Sequence, residues 1–206
     1  RLEGEDHSKT VLIGAHADTL GLMVRRIDPN HMYLGTRFAH AYDNKLTMQI
    51  AGYYFDITTI NYYLKTTPDT KEIQFFYNCS GKPFMFTEWY SKGMDACNET
   101  TGLSNASGAG WTAKTQDDRG IFYENFALKL LECKYCVGFD WFCYMDNNPN
   151  NSNADASNTS SNKGMVSYVG PYSLTNDMAE YTGLTNHMSD VNNAKYSLIE
   201  FFDARR

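Results

Sequence analysis

The sequence predicts an α/β fold of parallel strands with helices packed outside them. Two observations carry this. Short apolar or β-branched runs alternate with longer stretches of helical spacing along most of the chain, the order expected of βαβ units. The run Phe84-Met85-Phe86 is continuously apolar, as a strand covered on both faces requires, and a carboxylate, Glu88, follows at once. About four or five such units amount to half of a (β/α)8 barrel, so a partial barrel is expected. A carboxylate at the C-terminal end of a buried parallel strand stands where such barrels place their chemistry. The plainer alternative is a strand-end charge beside two packing aromatics, Trp89 and Tyr90.

The bulk composition agrees. With 206 residues and 42% hydrophobic content, the chain can bury one good core. A net charge of −6 argues against a nucleic-acid partner, which needs a clustered basic face. No apolar run approaches the ~20 residues of a membrane span, so no membrane partner is expected. Aromatics make up 15% of the chain, which suits a sugar-stacking groove, although core packing accounts for most aromatics in most proteins. The five cysteines, Cys79, Cys97, Cys133, Cys136 and Cys143, are odd in number and lack small-scaffold spacing. Cys133 and Cys136 form a C-x-x-C with no second pair to complete a zinc site, so structural thiols are expected.

Element by element, residues 11–14 form a short β-like run, followed by His16 and Asp18, which on a strand would point to one side. Asp28-Pro29-Asn30 is a turn signal, and residues 32–37 read as the next strand. Residues 44–53 have helical spacing, with Asp43 as N-cap and Leu46, Ile50 and Tyr53 or Tyr54 on one side. Residues 56–63, rich in β-branched and aromatic side chains, predict a strand. Pro68 opens a helix at its first turn, with Asp69 and Glu72 near the positive end of its dipole. That helix runs to about Tyr77, and Gly81 ends it. Pro83 then opens the Glu88 strand where no ladder donor is needed.

Residues 93–110 are rich in Gly, Ser, Asn and Thr and predict a long loop. Asp117 and Asp118 cap a helix over 118–133, with Ile121, Phe122, Phe126, Leu130 and Leu131 as its apolar stripe. Residues 137–144 predict another buried strand, and the Asn/Ser-rich residues 146–163 a loop. A last amphipathic helix is expected over 190–202, with Val191, Leu198, Ile199 and Phe202 inward.

Two resemblances add to this reading. Residues 11–24, VLIGAHADTLGLMV, resemble the first metal-ligand segment of the glutamyl-aminopeptidase-like zinc or cobalt peptidases. That implies His16 and Asp18 as metal ligands. The family's Glu-Glu pair is absent from this chain, and two ligands do not make a catalytic metal site.

The wider resemblance covers residue 28 to the end and rests on five spaced motifs: residues 28–38, 55–63, 81–93, 107–126 and 136–149. Among them are GKPFMFTEWYSKG and CVGFDWFCYMDNNP. Together they resemble the C-terminal half of an agarase-type glycoside hydrolase, of the retaining (β/α)8 clan that includes β-galactosidases. The resemblance implies strands five to eight of that barrel, a β-linked poly- or oligosaccharide substrate and no cofactor. It places the nucleophile at Glu88. It implies that Tyr62 or Tyr63 hydrogen-bonds that nucleophile, and that Trp141 stacks under the bound sugar. Asn61, Arg37, Trp89, Tyr144 and Asp146 would line the cleft.

One departure matters. The clan's acid/base is a Glu in an Asn-Glu pair ending strand four, and no Asn-Glu precedes Asp28. The only such dipeptide, Asn98-Glu99, lies in the loop after the Glu88 strand. The chain is therefore expected to divide into residues 1–27, a short segment either foreign to the rest or forming the strand and helix ahead of strand five, and residues 28–206, the half-barrel. Three activities are expected in competition: a glycosidase lacking its acid/base, a half-barrel that binds saccharide without cleaving it, and a metalloaminopeptidase fragment. An open half-barrel exposes two strand edges, which favours self-association.

Overall fold

Asp69 and Gly81 delimit the helix that leads into the site. The computed structural model describes residues 23–27, 32–35, 45–63, 66–168 and 179–205. In it the Asp69 carboxylate accepts from the amides of Lys71 and Glu72 at 2.7 and 3.2 Å, capping α2 (Thr70–Ser80). Asp69, not Pro68, therefore opens this helix, because a carboxylate satisfies free N–H groups that proline cannot. Gly81 closes it at φ 64°, donating to the Tyr77 carbonyl at 2.7 Å.

On either side of α2 lie β3 (Thr58–Asn61) and β4 (Phe84–Glu88), paired in parallel. On the far side of β4 lies β7 (Cys136–Phe139), also parallel, which makes β4 the central strand. This mixed α/β arrangement of parallel strands and helices is the fold class expected. Phe84 and Phe86 are fully buried, in an aromatic core with Phe76, Tyr62, Phe126 and Trp89. β7 is shorter than the expected strand over 137–144 and less buried: Val137 is 57% exposed. Its place at the edge of the sheet leaves part of it uncovered. Beyond β7 the chain still follows β4, with Asp140 N donating to Phe86 O and Phe142 N to Trp89 O.

Helix α1 (Lys45–Tyr54) exists as expected but faces the other way. Leu46, Ile50, Tyr53 and Tyr54 are exposed, while Met48, Ala51 and Phe55 are buried. Gly52 supplies the reason. A Cβ there would lie 1.9 Å from the Ser80 carbonyl oxygen, so only glycine lets this face of α1 seat against the end of α2.

Helix α3 (Gln116–Glu132) is capped by Thr115, not by Asp117. Asp118 returns the bond to the Thr115 amide, completing a capping box. Tyr123, Phe126, Ala127 and Leu130 form its buried face, and Ile121 is turned to solvent. Helix α4 (Thr182–Asp203) starts well before the expected residue 190. Leu184, Met188 and Val191 form its buried stripe, whereas Leu198, Ile199 and Phe202 are only half-buried. Two short parallel strands, β5 (Ser91–Gly93) and β6 (Trp111–Ala113), close the base of the intervening loop.

Nearer the N-terminus, β1 (Met23–Ile27) and β2 (Met32–Gly35) pair antiparallel. The expected parallel strand over 32–37 is therefore a hairpin partner, and the sheet of β3, β4 and β7 does not include it. The division expected at Asp28 falls between β1 and β2. The strand expected over 11–14 lies outside the described residues. All five cysteines are free thiols, and no described helix is long and apolar enough to cross a membrane.

His187 joins α4 to α3, with Nδ1 2.8 Å from Glu124 Oε1 and Nε2 3.2 Å from Asp117 Oδ1. The hydrogen bond to Glu124 leads the effects that raise its pKa above the ordinary histidine value. A raised folded-state pKa stabilises the fold fully below the unfolded value of about 6.5, and the gain is lost as pH rises through the folded pKa. Melting curves of wild type and His187→Gln should therefore differ most below about pH 6 and converge toward pH 9. A difference that widens with pH would contradict this.

Candidate active site

β4 carries Glu88 to the C-terminal end of the parallel sheet, where it is 2% exposed. Register sets its neighbours. Asn61 pairs with Glu88 across a register shift, and the Tyr62 amide donates to the Glu88 carbonyl at 2.8 Å. The strand path then sends Tyr62 and Tyr63 to different surroundings. The Tyr62 ring enters the core, stacked 5.0 Å from Phe86, and its hydroxyl donates to Glu72 Oε2 at 2.8 Å. The Tyr63 hydroxyl donates to Glu88 Oε2 in a short hydrogen bond. Of the two tyrosines the sequence left open, Tyr63 is the one bonded to Glu88. Asn61 is buried and accepts from Thr87 Oγ1 at 3.0 Å, which braces the strand end beside Glu88.

Trp89 is not at a surface. It is 0% exposed, with its indole 4.1 Å from the Phe126 ring and 5.2 Å from Tyr123. Like Tyr62, it is a core residue and offers no free face to a ligand. Trp141 is half-buried, edge-on to Trp89 at 5.2 Å, with Nε1 donating to the Lys163 carbonyl at 2.8 Å. Tyr144 is 61% exposed. Arg37, His16 and Asp18 lie outside the described residues. Among the described residues no group of three or more His, Cys, Asp and Glu side chains could hold a metal.

Asp146 organises the Asn-rich loop instead of facing an open cleft. Its carboxylate accepts from Asn162 Nδ2, Lys163 N, Gly164 N and the Tyr181 hydroxyl at 2.9, 2.7, 2.6 and 2.7 Å. Burial raises the Tyr181 phenol, and the Asp146 charge adds to this. Arg119, also fully buried, donates to the Ser91 and Gly164 carbonyls and so ties β5 to this loop. Burial lowers its pKa to about 10, against the opposing pull of Asp146. It lies beneath Trp141, 5.5 Å from the ring centroid.

Sequence reasoning missed Arg119 because it reads as one charge on an amphipathic helix. It passed over Tyr90 as a flanking aromatic. Tyr90 is buried, 5.5 Å edge-on to Tyr63, and donates to Asn158 at 2.7 Å, so it links Glu88's partner to the loop. A buried carboxylate fixed by a phenol, at the end of a parallel strand and near a half-buried indole, is an arrangement able to hold and attack an electrophile.

The fold is glycoside hydrolase-like. The chain matches the crystal structure of BpGH50 with a TM-score of 0.68, at 39% identity over 85% of this chain and 34% of that one. It also matches the structure of an exo-beta-agarase and that of the agarase AgWH50C, each at TM-score 0.64 and 25% identity over 83% of this chain. It spans 20% and 24% of those two chains, so it corresponds to about a third of BpGH50 and less than a quarter of the other two. No protein-family model and no curated protein matches the chain. These structures give the aminopeptidase reading of residues 11–24 no support.

Proposed function

We propose that this chain is part of the catalytic domain of a retaining glycoside hydrolase acting on a β-linked, agarase- or β-galactosidase-type polysaccharide. Its parallel strands would be among strands five to eight of a (β/α)8 barrel, and Glu88 would be the nucleophile. The observation that carries the reading is the buried Glu88 carboxylate at the end of β4, bonded by Tyr63. In a double displacement the carboxylate attacks the anomeric carbon, the leaving group departs, and water later releases the sugar. The Tyr63 hydroxyl orients the attacking carboxylate, and Trp141 offers its indole face to the sugar.

Retention needs a second carboxyl about 5–5.5 Å from the first. The expected Asn-Glu has no counterpart ahead of Asp28, and the reading leaves the acid/base without an assigned residue. On this reading the chain alone glycosylates Glu88 only with donors whose leaving group departs unprotonated. The exposed Val137 on β7 and the exposed Leu46 and Tyr53 on α1 support self-association.

The test is an activity-based label. The purified chain is incubated with a 2-fluoro-galactoside carrying a dinitrophenyl leaving group, and the adduct is located by peptide mass mapping. An adduct on the peptide containing Glu88 is expected. A folded chain that takes no label, or is labelled elsewhere, would overturn the assignment.

A further inference from the structure

The fold buries two lysines in this region and treats them differently. Lys92, 7% exposed, donates through Nζ to the carbonyls of Asn105, Ser107 and Gly108 at 3.2, 3.2 and 3.0 Å. Its ammonium is fully engaged in holding the loop. Lys163 is more deeply buried, at 3% exposed, yet among the described residues no atom accepts a hydrogen bond from its Nζ. The tip is not sealed inside either, since Nζ keeps contact with solvent. Nζ stands over the Phe142 ring, 4.9 Å from the centroid. The stem is buried while the ammonium carries three donors with no acceptor among the described residues, so acceptors from outside the protein are the means of satisfying them.

The backbone aims this side chain. The Lys163 amide is fixed by Asp146, and its carbonyl accepts from Trp141 Nε1 and, at 3.2 Å, from the Cys143 amide. Phe142, beneath the ammonium, bonds through its amide to the Trp89 carbonyl, and its ring lies 5.8 Å from Tyr90. Tyr90 packs on Tyr63, which bonds Glu88. The Cys143 thiol lies within electrostatic reach of both charges. Burial chiefly raises its pKa, and the Lys163 ammonium and Glu88 carboxylate pull it in opposite directions. Lys163 thus stands at the same end of the sheet as Glu88.

We infer that Lys163 Nζ donates hydrogen bonds to the hydroxyls of a sugar ring bound beside Glu88, which makes it a specificity-determining residue of that site. The inference rests on the reading of Glu88 as a saccharide site. Asp155 also lies within electrostatic reach of the ammonium. With Glu88 it more than offsets the single positive charge, so a neutral polyhydroxylated ring fits better than an anionic one.

Lys163→Met keeps the length and the apolar stem and removes only the donors. The melting temperature should be unchanged, because no hydrogen bond within the protein is lost. The affinity for an agaro-oligosaccharide, followed by NMR titration, should fall at least about tenfold. In the wild-type chain the same oligosaccharide should protect the Lys163 amine from reductive methylation. Wild-type affinity in Lys163→Met, or an unprotected amine in the bound chain, would overturn the Lys163 inference and leave the Glu88 reading standing. A folded wild-type chain that binds no oligosaccharide would overturn both. A melting temperature several degrees lower in Lys163→Met would mark the amine as a structural clamp and also overturn the inference.

Discussion

Glu88→Gln should abolish the covalent adduct and slow glycosyl transfer from an activated aryl β-galactoside by at least ~10³-fold. The substitution is isosteric. An amide oxygen can still accept from the Tyr63 hydroxyl, so the local hydrogen bond survives while the nucleophile is lost. A dinitrophenyl leaving group needs no proton, which makes the assay independent of the second carboxyl that retention requires. Mass spectrometry of the trapped adduct and stopped-flow release of dinitrophenol read the two effects. Equal labelling of wild type and Glu88→Gln would remove Glu88 from the chemistry.

Trp89→Ala should cost about 3–5 kcal/mol of stability, a large share of the 5–15 kcal/mol typical of a domain. The indole is fully buried between Phe126, Tyr123 and Trp141, with ring separations of 4.1, 5.2 and 5.2 Å. Truncation would open a cavity where β4, α3 and the segment after β7 meet. Trp89→Phe should cost markedly less. The Trp89 Nε1 is buried with no hydrogen-bond partner among the described residues, so the phenyl ring gives up no bond and removes an unsatisfied donor. Urea denaturation of both variants measures the difference. A loss below about 1 kcal/mol for Trp89→Ala would sink the core role assigned to this residue.

The legible parts of the chain were those whose signal is local. Asp69 and Gly81 mark the ends of α2 because capping is chemistry between near neighbours. The Phe84–Glu88 strand was legible because its burial leaves an uninterrupted apolar run before a carboxylate. Where two faces of one helix both read as apolar, sequence chose wrongly. In α1 the stripe with Leu46 and Ile50 looks like the inner one, but Gly52 seats the opposite face. In α4 the first turns are polar and glycine-containing, and only packing of Leu184 and Met188 reveals them as helix.

The site divides in the same way. Sequence by itself determined the parallel α/β class, the position of Glu88 at a strand end, and a tyrosine pair within reach of it. Only the tertiary structure decided that Tyr63 bonds Glu88 while Tyr62 turns to Glu72, because that depends on the β3–β4 register. It also withdrew Trp89 into the core and made Asp146 the centre of a loop. Those outcomes follow from which donors and rings converge from distant stretches of chain. Periodicity within one stretch carries no record of them.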